Sequence, residues 1–316
     1  MNYKFDSPAI FLIGPSAVGK TALSLKISQN FPVEIISVDS AMVFQKMDIG
    51  TCKPSKEEQK SVQHHLIDII EPHKNFNAGI YLDHVEKAVS TIEQKQKIPL
   101  FVGGTMMFHK LLLEGIHDFP SDSATRKEID ILRQEKGESA LVHLLQELDS
   151  ETFKTIDTKN SRRVERALEI IKITKTKLSL LKKEPLRKIL NKEKSLLLGM
   201  TDDKAQLDIN AESRIKKIIS DGFIEELENL VTTYKLDSLS HSMNSINYKQ
   251  FLPYLDGDLS LEQAASDALS ATKKLIKTQM TWMKKFELNY VNNTSEENDS
   301  NLFSDTINTY LRSLNK

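Results

Sequence analysis

Eight consecutive residues, Gly14-Pro15-Ser16-Ala17-Val18-Gly19-Lys20-Thr21, set two glycines ahead of a lysine and a hydroxyl in the phosphate-loop pattern. The glycines let backbone N–H groups turn inward around an anion, and a helix opening just after them adds a favourable dipole. Lys20 supplies a positive point charge, and the Thr21 hydroxyl can hold Mg2+. The implied ligand is a diphosphate or triphosphate, but the loop alone does not say what becomes of it. Transfer from ATP calls for a second strand ending in an acid that holds the metal. Asp39 is the strong candidate, which leaves two readings open: an acid holding metal in a nucleotide-hydrolysing enzyme, or an acid handling an acceptor. The single cysteine, Cys52, excludes a disulfide within the chain and fits a reducing compartment. Its residue type is better explained as a small loop side chain than as a nucleophile.

These residues need elements to hold them. Residues 9–13 and 98–102 are short, mostly apolar runs, and 33–38 is another with Glu34 and Ser37 in it. Such runs read as strands buried on both faces. Residues 21–29 and 78–95 between them read as helices. Alternation of this kind predicts an α/β fold, a P-loop NTPase-like parallel sheet flanked by helices, with right-handed crossovers. The three strands end at Gly14, at Asp39-Ser40 and at Gly103-Gly104-Thr105. Ligands of such sheets bind beyond the carboxyl ends of the strands, so these ends should converge on one crevice.

From residue 118 to 194 helical spacing dominates, as at 139–148 and 161–173, with no clear strand. The expected organisation is a catalytic core of residues 1–117 and 195–316, with an inserted all-helical domain at 118–194. Residues 159–194 hold 13 Lys/Arg against 4 Asp/Glu, while the whole chain is at -1. A basic segment is thus set in a more acidic body, and the whole is not a generic polyanion binder. A strand is expected at 195–200, helices at 206–220, 223–235, 260–286 and 303–314, and a loose polar tail at 292–300. No apolar run resembles a signal peptide or is long enough to span a bilayer. The expectation is a cytoplasmic protein, off the membrane, and a monomer.

The run Ile35 to Phe44, continued by Met47-Asp48-Ile49-Gly50-Thr51-Cys52-Lys53-Pro54, resembles the signature of the tRNA dimethylallyltransferases. His64-His65-Leu66-Ile67-Asp68, Val102-Gly103-Gly104-Thr105, Ser161-Arg162-Arg163-Val164-Glu165-Arg166-Ala167-Leu168-Glu169 and Gln279-x-Thr281-Trp282 resemble further blocks of that family, in its order and at its spacing. The resemblance implies transfer of a dimethylallyl group from dimethylallyl diphosphate to the exocyclic amine of the adenine on the 3′ side of a tRNA anticodon. The phosphate loop then grips a leaving diphosphate, with Mg2+ near Thr21. Asp39 becomes the general base, and Thr105 lies near the reacting centre. Arg214 reaches the diphosphate from across the crevice. The same resemblance puts Asp39, Ser40, Ala41, Met42, Thr105, Arg126, Arg162, Arg163, Val164, Glu165, Arg166 and Lys249 at the RNA, an anticodon stem-loop. The chemistry suits the residues. Neutralising a departing diphosphate makes an allylic carbon more electrophilic, and a weakly nucleophilic amine profits from a carboxylate that accepts its proton.

Asn210, Asn244 and Asn247 depart from the family pattern, which has Arg, Arg and Gly at those places. Asn tolerates the left-handed backbone that Gly favours, so the turn at Asn247 is expected to survive. The competing function is an ATP-dependent small-molecule phosphotransferase with Asp39 as base, motivated by the phosphate loop alone.

Overall fold

The computed structural model describes residues 3–294 and 300–314. The chain divides into two compact units, Met1–Glu114 with Lys188–Lys316, and Gly115–Arg187. The larger unit opens with β1 (Tyr3–Phe5), β2 (Ala9–Ile13), α1 (Lys20–Asn30), β3 (Val33–Val38) and α2 (Lys56–Ser61). Next come β4 (His64–His65), α3 (Ala78–Gln94), β5 (Ile98–Gly103) and α4 (Met106–Glu114). The smaller unit contains α5 (Ser123–Leu148), α6 (Ser150–Thr155), α7 (Ser161–Thr174) and α8 (Leu178–Leu181). The chain then returns with β6 (Lys188–Leu190), β7 (Ser195–Thr201), α9 (Lys204–Ser220) and α10 (Phe223–Tyr234). It closes with α11 (Tyr248–Leu255), α12 (Leu261–Met283), β8 (Tyr290–Asn293) and α13 (Ser300–Leu314).

Six strands form one parallel sheet in the order β4-β3-β5-β2-β7-β8. Every residue of β2 and β3 is buried, as strands covered on both faces require. Ile10 and Leu12 point into a core shared with Ile27 of α1, Ile276 of α12 and Phe303 of α13. On the opposite face Phe11 stacks on Phe101 at 4.7 Å and meets His109 of α4. Tyr81 of α3 stacks on Phe108 of α4 at 4.0 Å. Helices therefore flank both faces of the sheet. Each large side chain fully removed from water here contributes about 1.5–3 kcal/mol of transfer free energy. Among the described residues no helix is long and apolar enough to cross a membrane.

Two stretches differ from the sequence reading. Residues 188–194, grouped there with the insert, form β6 and a 310 turn in the larger unit, where β6 pairs with β1. Three-residue strands are too short to show an alternation. The tail expected to be loose from 292 begins as the last residues of β8, paired with β7, while 295–299 lie outside the described residues.

In the smaller unit α5 is broken at Gly137, whose φ of 80° interrupts the helical backbone. Its two arms and α7 bury Ile129, Leu141, Leu145, Val164, Leu168 and Ile171 together. The unit as a whole is nearly balanced, with 15 Lys/Arg and 13 Asp/Glu. The positive charge lies in its second half, residues 159–187, with 10 Lys/Arg against 3 Asp/Glu.

Candidate active site

The ends of β2, β3 and β5 meet as the sheet order requires. After Ile13 the chain turns through the phosphate loop, with Ala17 at φ 63° and Gly19 at φ 92°, before α1 starts at Lys20. A side chain at position 19 would be strained in that left-handed backbone. Val18 is buried in the core beneath the loop, while Ser16, Ala17, Gly19, Lys20 and Thr21 line a cavity of about 510 Å3. Gly14 and Pro15 are buried and supply carbonyls to the Lys20 ammonium, which donates to them at 2.9 and 2.6 Å. Burial, and then the neighbouring Arg214 charge, push Lys20 down to about 7, against the pull of Asp39.

Asp39 follows β3 and lines the same cavity. Its Oδ1 accepts the backbone N–H groups of Ala41 and Met42, at 2.8 and 3.1 Å. This local turn fixes the carboxylate and leaves Oδ2 to the cavity. From the opposite wall Arg214 of α9 enters, its Nε–H donating to Cys52 Sγ at 2.7 Å. Asn210, one turn earlier, donates to the Ala17 carbonyl at 3.1 Å. Where the family pattern has an arginine, this chain thus has a loop brace. Met42, Lys53 and Lys217 complete the rim. Lys53 is not free to bind an anion, because its Nζ donates to Asp48, Asp68 and the Phe44 carbonyl.

A second cavity, about 450 Å3, adjoins the first; Ser16, Asp39, Gly104 and Arg214 line both. Ser40, Ala41 and Thr105 line the second cavity, together with Met107, Asn244 and Trp282. Thr105 donates its N–H to the Val38 carbonyl at 3.1 Å, which ties the end of β5 to the end of β3. His109 donates from below to the Gly103 carbonyl at 3.1 Å. Burial pushes this histidine down to about 4, so it stays neutral. Asn247 has φ 75°, so the turn expected there does reach positive φ, and its Nδ2–H donates to the Gly50 carbonyl at 2.7 Å. Lys249 is exposed on the first turn of α11 and lines neither cavity.

Two buried or half-buried side chains hold this site: Gln279 stands in the Gln279-x-Thr281-Trp282 block noted above, which gives it no role, and Glu226 is not singled out by the sequence. Gln279 accepts the Ser16 N–H at 2.8 Å and donates to the Gly104 carbonyl at 2.9 Å. Glu226 of α10 accepts the N–H groups of Asp48, Ile49 and Gly50 and the Tyr248 hydroxyl, all between 2.6 and 3.1 Å. Three successive amides around one carboxylate form an anion nest that pins the 48–52 turn beside Arg214.

In the smaller unit Arg126, Arg162, Glu165 and Arg166 line one cleft. Glu169, 2% exposed, accepts from Arg126 Nε at 2.9 Å and from Arg166 at 2.8 Å. Arg166 also donates to the Phe119 and Pro120 carbonyls, so its guanidinium is largely consumed in holding the unit together. Arg162 and Arg163 are exposed. Val164, grouped above with the RNA-facing residues, is instead a core residue at 1% exposure. Helical phase decides this: Val164, Leu168 and Ile171 share the buried stripe, and Arg162 and Arg163 lie off it.

The profile of the IPP transferase family matches residues 42–286. The chain belongs to the IPP transferase family. The matched stretch begins at Met42, three residues after Asp39, runs through α12 and includes Thr105, Arg214 and Gln279. A tRNA dimethylallyltransferase of Thiobacillus denitrificans is 37% identical over 278 residues, covering 88% of each chain. The crystal structure of a tRNA delta(2)-isopentenylpyrophosphate transferase from Staphylococcus epidermidis is 30% identical, with a TM-score of 0.67 over 97% of this chain and 99% of that one. A eukaryotic dimethylallyltransferase described as acting on tRNA is 23% identical. Its TM-score is 0.81 over 96% of this chain and 78% of that one, which bears on the fold alone.

Proposed function

We propose that this chain transfers a dimethylallyl group from dimethylallyl diphosphate to the N6 amine of the adenosine 3′ to the anticodon of tRNA, releasing diphosphate. The observation that carries this is the pair of adjoining cavities with Asp39 in their common wall. One is lined by the phosphate loop and suits a diphosphate. The other has Met106, Met107, Leu275 and Trp282 on its walls and suits an unstacked base. The base amine attacks the allylic carbon while the bond from that carbon to diphosphate oxygen breaks. Asp39 accepts the amine proton, and Thr105 lines the cavity proposed for the base. Lys20, Arg214 and the loop amides of residues 17–21 balance the charge gathering on the leaving diphosphate.

Mg2+ fits the residues present. The Thr21 hydroxyl lines the first cavity, and among the described residues no group of three His, Cys, Asp or Glu is placed to enclose a metal. A hard ion held by one hydroxyl and substrate oxygens matches that donor set. When bound, it would neutralise diphosphate charge. The arginines at 126, 162 and 163 are proposed to meet RNA phosphates, in a monomer acting in the cytoplasm. The smaller unit, residues 115–187, supplies this RNA-binding segment, and the remainder is the catalytic core. No observation favours the phosphotransferase alternative, since the matched family and its relatives are named for prenyl transfer.

The test is incubation with Mg2+, dimethylallyl diphosphate and unmodified tRNA carrying adenine beside the anticodon. Prenylated adenosine in the digested RNA is expected. Its absence, with ATP hydrolysis in its place, would overturn the proposal.

A further inference from the structure

The amide of Gln279 occupies a place that only this fold brings together. Its Oε1 accepts from Ser16, the third residue of the phosphate loop, 263 positions earlier in the chain, and its Nε2 donates to Gly104 at the end of β5. The side chain is buried at 5% exposure. A Cβ at position 104 would stand 2.5 Å from Gln279 Nε2, so a glycine there makes the room for the amide. Gly104 leads directly to Thr105, whose N–H is bound to the Val38 carbonyl just before Asp39. One amide therefore bridges the part that holds the leaving group and the part that holds the base.

We propose that Gln279 is a positioning residue. It keeps the phosphate loop and the Asp39–Thr105 strand ends in register, so that the allylic carbon and the acceptor amine meet at reacting distance. The inference rests on the prenyl-transfer reading above. Its physical basis is that two reacting groups must be held within about 3–3.5 Å, and that a displacement of about 1 Å can cost about a hundredfold in rate. Each half of the site is built without Gln279: Asp39 by its own turn, Lys20 by the carbonyls of Gly14 and Pro15. What Gln279 adds is their relative placement. Trp282 and Thr278 of the same helix line the second cavity, so the bridge also joins that wall to the loop.

Gln279→Glu tests this, because it preserves shape and changes only the donor. An ionised carboxylate still accepts from Ser16 but faces the Gly104 carbonyl without a proton to give. Once protonated, its hydroxyl donates as the amide does. Relative to wild type, kcat of Q279E should be down about a hundredfold at high pH. It should recover as pH falls through the titration of the new carboxyl. Apparent KM for both substrates should move by less than about threefold in the same comparison. Gly104→Ala, which displaces the amide from the other side, should lower kcat in the same way. A ratio of Q279E to wild-type kcat that is flat with pH would overturn the proposal, as would G104A and Q279E both keeping wild-type kcat whatever their melting temperatures. If wild type itself makes no prenylated RNA, it is the reading of function that fails. The Q279E ratio is interpreted only on an enzyme whose wild type is active.

Discussion

Asp39 and Lys20 are the two residues whose chemistry is most exposed to test. Asn at position 39 can still accept the Ala41 and Met42 N–H groups, so the turn survives and only the proton acceptor is lost. We expect Asp39→Asn to lower kcat by about a hundredfold to ten-thousandfold with tRNA affinity nearly unchanged, read from single-turnover rates and filter binding. Lys20 sits near 7 in the structure, and its charged form is the one that grips an anion. Diphosphate entering the loop raises it, so binding takes up a proton when the pH is above that value. Affinity for pyrophosphate should then weaken with rising pH above about 7, by up to about tenfold per unit relative to a Lys20→Arg variant, whose charge does not titrate there. Isothermal titration calorimetry of both proteins across pH 6 to 9 measures it. At this scale the sequence was most readable where the chemistry is contiguous. Gly14 to Thr21 form one local pattern, and Asp39 closes one local strand. Glu226 acts through amides far along the chain, and no local spacing marks it; Gln279 stands in a legible motif, but its bridge to Ser16 and Gly104 exists only in the fold. Val164 shows the opposite error, a residue carried along with its neighbours although helical phase turns it inward.

The elements of the larger unit hold the site through a few long-range contacts. Glu226 of α10 is the clearest, since four donors converge on its carboxylate and fix the turn from Asp48 to Thr51. Removing it leaves three amides without an acceptor. We expect Glu226→Ala to cost about 2–4 kcal/mol in urea unfolding and to raise KM for the allylic diphosphate, because Arg214 is held against Cys52 and Thr51 of that turn. In the smaller unit α7 carries exposed Arg162 and Arg163 beside its buried stripe. Replacing both by Ala should weaken RNA binding and flatten its dependence on salt by about one to two log units per log unit of salt, with kcat at saturating RNA little changed. Long helices such as α3 and α12 were legible because burial imposes a helical period on them, and β2 because it is an unbroken apolar run. β1, β4 and β6 were not, being two or three residues long and defined by their partners.

For the molecule as a whole, acid should loosen the larger unit in two stages. His109 is pushed down to about 4 by burial, so the unfolded chain binds its proton first, and stability falls as pH drops from 6.5 toward 4. Burial alone would raise Glu34, but hydrogen bonds from His65, Lys95 and Lys97 outweigh it and hold it at about 2. Its contribution is present above 4.5 and is lost as pH falls from there toward 2. Melting temperature followed from pH 7 to 2 should show both, and the upper one should be smaller in a His109→Gln variant, where His64 and His84, also pushed down by burial, still contribute. The shared wall between the two hollows has a further consequence. A single inhibitor that tethers a bisphosphonate to an adenosine could thread both chambers past Asp39 and gain from linkage what neither half has alone.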